Sequence, residues 1–324
     1  MILAVFMMTI GYSFTALITV GSAGRPDFAP TFTVLFSLAL LTASLIGFVA
    51  LLQITGSRVR VDRVLTDLGR VAVDRLEDRF PTGEGWRHAI IHRPPPPEPE
   101  ITRHLSYTGP RGQLVAVDNR HLRRLARRRS GYVRVTVRVG DGMLPGDVIA
   151  VGAEDSTLTD TELSRCLVVA VERSLQHDPL YALRLLVDIA IRALSAAVND
   201  PTTAVRSLDE IEGVLRAAAA LPLGPVGFQL GNTTLVLDPP GWDDFLSLAL
   251  LEIIEYGAAE PQVSRRLTAM LDDLQLVVEP IRRPALDRFR ALLEEINGRA
   301  HRGEQLVLAS MPDRQGIGGS HAVL

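Results

Sequence analysis

Residues 31–54 read TFTVLFSLALLTASLIGFVALLQI, without one charged side chain. A helix rises about 1.5 Å per residue, and about 20 apolar residues cross a hydrocarbon core of roughly 30 Å. This stretch has that length, and so does the uncharged stretch 1–20, MILAVFMMTIGYSFTALITV. Between them GSAGRPDFAP carries Gly21, Gly24, Pro26 and Pro30, which suffice to turn a helical hairpin. The pattern predicts two transmembrane helices. A cleaved signal peptide at residues 1–20 would need a basic start and a shorter apolar core. A buried core hairpin is the other alternative.

Working outward, the connecting loop holds Arg25 beside Asp27, whereas Arg58, Arg60, Arg63 and Arg70 follow the second stretch. Positive flanks stay inside. The C-terminal bulk is therefore expected in the cytoplasm, held at the inner (plasma) membrane. The 324 residues are 47% hydrophobic with a net charge of -3, so no global polycation points to nucleic acid. Every basic side chain in the chain is arginine, so arginine abundance alone says little about phosphate binding. The lone Cys166 excludes an internal disulfide and a Cys-based zinc site. No P-loop, HExxH or GxSxG motif is present.

The expected organisation is membrane-anchored and mainly α with a small β module. A transmembrane helical hairpin (1–55) leads into a juxtamembrane helix (56–92) and a Pro-rich linker (93–100, RPPPPEPE). A β-rich module (101–157), an α-helical C-terminal domain (158–310) and a disordered tail (311–324) follow. In the juxtamembrane helix Val61, Val64, Leu65, Leu68, Val71, Ala72 and Leu76 form an apolar stripe. Positions 61, 64, 68 and 71 have heptad spacing, compatible with an oligomer seam. Val133, Val135, Val137 and Val139 alternate with polar residues, as in a half-buried strand. Thr159–Glu162 is a capping box opening a helix through 176. Asp178-Pro179 and Asp200-Pro201 each pair an N-cap Asp with a proline at the first helical position. VGFQLGNTTLVLD is a hairpin turning at Gly231-Asn232.

The run QHDPLYALRLLVDIAIRALSAAVNDPTTAV (176–205) resembles the hallmark segment of a bacterial family of predicted membrane proteins, domain of unknown function 2254. SRVRVDRVL (57–65), LVAVD with GDGMLPGDVIAV (114–151) and AEPQVSRRL (259–267) are similar to that family in the same order. The family usually shows four transmembrane helices, and the two here match the later pair. The resemblance implies architecture and membrane location and adds nothing on chemistry.

The best candidate for chemistry lies in the same run. Arg184, Asp188 and Arg192 stand at i, i+4 and i+8 of an otherwise apolar helix. Charges there must be solvated, paired or used. With Arg173, His177, Asn199 and Arg206 nearby they could clamp a small anion; the plainer reading is a structural ion network flanked by the caps Asp178 and Asp200. No catalytic residue is assigned. His177 with Asp178, Asp188 and Asp200, or His88 with His92, could ligate a metal, but the aspartates read better as caps and the histidine pair lacks a third ligand; no metal and no cofactor is expected. The basic run 120–129 is a solvated face or a surface for anionic headgroups, carried by Arg123, Arg124, Arg127 and Arg128. The expected partners are the lipid bilayer and its headgroups, with a homo-oligomer as a further option and nucleic acid excluded. A non-enzymatic membrane-anchored scaffold or sensor whose cytoplasmic domain binds a partner or a small anion leads the readings, followed by a channel or transport subunit and by a membrane-proximal enzyme using the 172–209 cluster.

Overall fold

A computed structural model describes residues 2–22, 31–58, 61–79, 90–92, 94–173, 175 and 178–316. The chain divides into two compact units, 1–64 and 65–324. The first contains helices α1 (Ile2–Ser22) and α2 (Thr31–Arg58). Tyr12 and Phe36 meet edge-to-face at 4.8 Å between them. The hydroxyls of Thr15 and Thr42 donate to Gly11 O and Leu38 O of their own helices, at 2.8 Å each. Among the described residues one span, Thr31–Phe48, is long and apolar enough to cross a membrane. The two-span hairpin expected from sequence thus stands here as one candidate span.

Helix α3 (Val61–Arg79) buries Leu65, Ala72 and Leu76, all in the second unit. Val61 and Val64 stay exposed, so the buried face is rotated from the heptad set 61, 64, 68 and 71. The cause is a partner within the chain. Thr66 Oγ1 donates to Glu210 Oε1 at 2.9 Å, and a Cβ at Gly69 would collide with the same carboxylate. Glu210 belongs to α7 (Pro201–Ala219), which joins α6 (Pro179–Ala193), α8 (Trp242–Gly257), α9 (Pro261–Val277) and α10 (Arg283–Ala300) around one apolar core. A short helix, α11 (Glu304–Ser310), packs on α9 and α10.

The strands are β1 (Ile90–His92), β2 (Arg103–Ser106), β3 (Gly112–Val117), β4 (Ser130–Val135), β5 (Gly142–Met143), β6 (Val148–Gly152), β7 (Leu167–Ala170), β8 (Val226–Leu230) and β9 (Asn232–Leu237). One sheet runs in the order β1-β8-β9-β4-β6-β2 and the other β5-β3-β7. Helix α4 (Asn119–Ala126) closes their shared core with Leu122 and Ala126.

Four sequence expectations change. The boundary between a β module at 101–157 and a helical domain at 158–310 runs through a sheet. Strand β4 pairs in parallel with β9, from Ser130↔Asn232 to Val135↔Leu237. The helix expected from the capping box to 176 stops early. Helix α5 (Asp160–Ser164) is followed at once by β7, because Leu167, Val168 and Val169 complete the open edge of β3. The Pro-rich stretch packs on the sheet instead of spanning space. Pro95 and Pro96 fill the room a side chain at Gly227 would need, and Glu98 pairs with Arg134 at 3.1 Å. The tail expected to be disordered is packed as far as Gly316: Arg314 is paired with Asp273, and Arg265 Nη2 donates to Gly316 O at 2.8 Å. Residues 317–324 lie outside the described residues.

Candidate functional site

Caps position the candidate cluster. Asp178 accepts from Tyr181 N–H at 3.2 Å with Pro179 at the first helical position of α6. Asp200 accepts from Thr203 N–H at 3.1 Å and from its hydroxyl at 2.6 Å, opening α7. The Thr203 hydroxyl, then its N–H, hold the Asp200 carboxyl below the usual carboxylate range. Between the helices Asn199 is exposed at φ +47, the left-handed conformation that lets the chain reverse, and its N–H donates to Ser195 O at 2.8 Å.

The arginines do not converge. Arg173 Nη2 donates to Asp178 Oδ2 at 3.0 Å and lies over the Tyr181 ring, 5.1 Å from its centroid. It also covers Gly140 in the GDGMLPGD turn: a Cβ there would collide with Arg173 Nη2 and stand 2.9 Å from Asp178 Oδ2. Two of the segments that resemble the family therefore meet at one ion pair. Arg184 lies farther along α6, between Asp188 on its own helix (2.7 Å) and Glu252 on α8, to which it donates at 2.7 and 2.9 Å. Glu252 holds the guanidinium in its charged form, and Arg184 in turn draws the Glu252 carboxyl down. Asp188 is half-buried. Arg192 and Arg206 are exposed. His177 and His88 lie outside the described residues, while His92 is in β1. Among the described residues no group of His, Cys, Asp and Glu side chains is arranged to hold a metal ion.

The most buried ionic cluster lies elsewhere. Arg266 on α9, 4% exposed, donates to Asp209 at 2.8 Å and to Glu212 at 2.6 Å, both on α7. Arg216 donates to Glu212 at 2.6 Å, and Arg314 grips Asp273 on α9 at 2.9 and 2.5 Å. Arg216, Arg266 and Arg314 thus face Asp209, Glu212 and Asp273, a balanced set suited to locking helices together. One sign of it was legible: Arg266 interrupts the apolar stripe Val263, Leu267, Met270, Leu274. Cys166 is buried, its Sγ donating to Glu162 O at 3.4 Å, and burial pushes its thiol up to about 11, which disfavours the nucleophilic thiolate.

Residues 1–273 match the family described as predicted membrane protein (DUF2254). The chain belongs to that family. Two uncharacterised proteins, one from Mycobacterium bovis and one from Mycobacterium tuberculosis, are each 30% identical to it over 308 residues, 90% of this chain. The chain spans 58% of the length of these curated relatives. No solved structure matches it. The DUF2254 match stops within α9, so Arg216, Arg266 and Asp273 lie inside it and Arg314 beyond it.

Two of the hollows among the described residues of the second unit of this DUF2254 chain are lined by arginine. One, about 480 Å³, lies between the Pro94–Pro96 stretch and Pro222–Pro225, with Arg134 at its wall bonded to Asp238 at 3.0 Å and to Glu98. The other, about 540 Å³, opens at the C-terminal end of α4 beside Arg127, Arg128 and Arg129. On α4, Arg124 is exposed, and Arg123 is half-buried with its Nε donating to Asn119 O at 3.1 Å.

The caps differ in what else they hold. Asp200→Ala is expected to lower stability by about 0.5–2 kcal/mol, the usual N-cap loss. Asp178→Ala should lower it further, because Arg173 is left without its carboxylate. Thermal unfolding of the full chain in detergent measures both; equal midpoints for the two variants would show that the Arg173 pair contributes nothing.

Proposed function

We propose that this chain is a membrane-anchored, non-enzymatic scaffold. Residues 1–54 cross the inner (plasma) membrane as a two-helix hairpin with both ends inside, and the second unit lies in the cytoplasm. The supporting observation is the engagement of Arg184: its fork is filled by Glu252 and its flank meets Asp188, so both terminal nitrogens are already bound to carboxylates of the chain itself. Arg173 is likewise held by Asp178. These pairs fit a rigid platform better than a reaction centre. Its contact surface is the exposed arginine row along α4 and just past its C-terminal end, Arg120, Arg124, Arg127 and Arg128. Near anionic headgroups each such residue is worth on the order of 1 kcal/mol.

A channel subunit would need hydroxyls that line a water path. The bonds from Thr15 and Thr42 back to their own helices do not favour that role. The orientation follows from arginine asymmetry around the hairpin. A reporter enzyme active only outside the cytoplasm, fused after residue 324, should be silent, while a fluorescent protein at the same place should glow. Strong activity of the first reporter would overturn the cytoplasmic assignment.

A further inference from the structure

We propose that the hollow at the C-terminal end of α4 binds a phosphate-bearing anion, clamped by Arg127 and Arg128 and hydrogen-bonded by Ser130, Thr157 and Asn232. The inference goes beyond the anchored-scaffold reading and does not depend on it. The chain leaves α4 through Arg127-Arg128-Arg129 and enters β4 at Ser130. Because β4 pairs in parallel with β9, Ser130 lies level with Asn232, the first residue after the β8–β9 turn. That register brings the end of a basic helix and the tip of a hairpin to the two sides of one hollow of about 540 Å³.

The side chains divide by role. Arg129 is already paired with Glu162, so it forms wall and carries no spare charge. Arg127 and Arg128 are exposed, and no carboxylate among the described residues pairs with either. Thr157 Oγ1 accepts the Ser130 N–H at 3.0 Å, which fixes the oxygen and leaves its proton to donate. Two planar guanidinium forks with neutral O–H and N–H donors beside them form a donor set suited to phosphate oxygens. Arginines in a last helical turn also complement the helix dipole. That role is equally served by Arg123 and Arg124, and it does not call for hydroxyl and amide donors around the same hollow. A lipid headgroup phosphate and a soluble phosphate share this chemistry.

Calorimetric titration of the full chain in neutral detergent, with inorganic pyrophosphate in one arm and short-chain phosphatidic acid in the other, separates the sources. Saturable binding is expected in at least one arm. The Arg127→Ala/Arg128→Ala variant should bind about tenfold or more weakly, and Asn232→Ala, at an exposed turn, should weaken binding as well. Arg299→Ala/Arg302→Ala removes the same charge at exposed positions outside the hollow and the α4 surface and should change affinity less than about twofold. Binding of phosphatidic acid alone identifies a headgroup site; binding of pyrophosphate identifies a soluble ligand. No binding in either arm overturns the proposal, and so does an equal loss in the two double variants, which would reduce the site to diffuse charge.

Discussion

Arg266→Ala is expected to destabilise the second unit by about 3–5 kcal/mol, the scale for stranding one partner of a buried ion pair. Arg266 is 4% exposed and Glu212 7% exposed. The substitution takes from Glu212 the bond at 2.6 Å that balances its buried charge, and takes from Asp209 its bond at 2.8 Å. Arg216 still reaches Glu212, but from the half-exposed rim. Two companions separate charge from volume. Arg266→Met restores most of the volume and should remain poor, because Glu212 stays buried and unmatched. Adding Glu212→Leu to Arg266→Met should recover much of the loss, since apolar replacement of a whole buried pair is often neutral or favourable. The reference is Arg288→Ala, whose ion pair with Asp243 is exposed on both sides and should be worth at most about 1 kcal/mol. Thermal and denaturant unfolding of the full chains in detergent give the comparison. If Arg266→Ala and Arg288→Ala shift the midpoint alike, the α7–α9 network does not hold the fold.

Gly140→Ala carries the second large effect, roughly 2–4 kcal/mol. A φ of +98 disfavours any side chain by about 1–2 kcal/mol. The new Cβ would also collide with Arg173 Nη2. Arg173 can move aside only by leaving Asp178, the N-cap of α6, and the Tyr181 ring. Gly142, two residues on, has ordinary φ and open space where a Cβ would go, so Gly142→Ala should be near neutral. In an Arg173→Ala background the steric part of the Gly140→Ala loss should vanish, leaving only the backbone part. An undiminished loss in that background would mean that the turn and α6 are not coupled through Arg173.

What could be read along the chain was whatever depends on residues within about one helical turn or one hairpin. Asp178-Pro179 and Asp200-Pro201 start helices because the capping oxygen and the N–H it accepts are three residues apart. The turn at Gly231 is local for the same reason. Composition alone also marked the apolar helix at 31–48.

Tertiary structure decided the rest, because the partners are far apart in sequence and a strand or a charge has no local preference among them. LVVA at 167–170 could extend a helix or a strand; the free edge of β3 made it a strand. The parallel pairing of β4 with β9, 102 residues apart from Ser130 to Asn232, merged what read as two domains. Arg184 showed Asp188 in its own sequence neighbourhood, but its stronger partner, Glu252, sits 68 residues away on α8. Arg266 found Glu212 across 54 residues, and Arg314 turned a polar tail into a packed one by reaching Asp273. Sequence by itself set which segments are capped and apolar enough for a membrane; which charges meet was decided only when packing brought separate helices within a few ångströms, where a buried charge must find its counter-charge or be stranded.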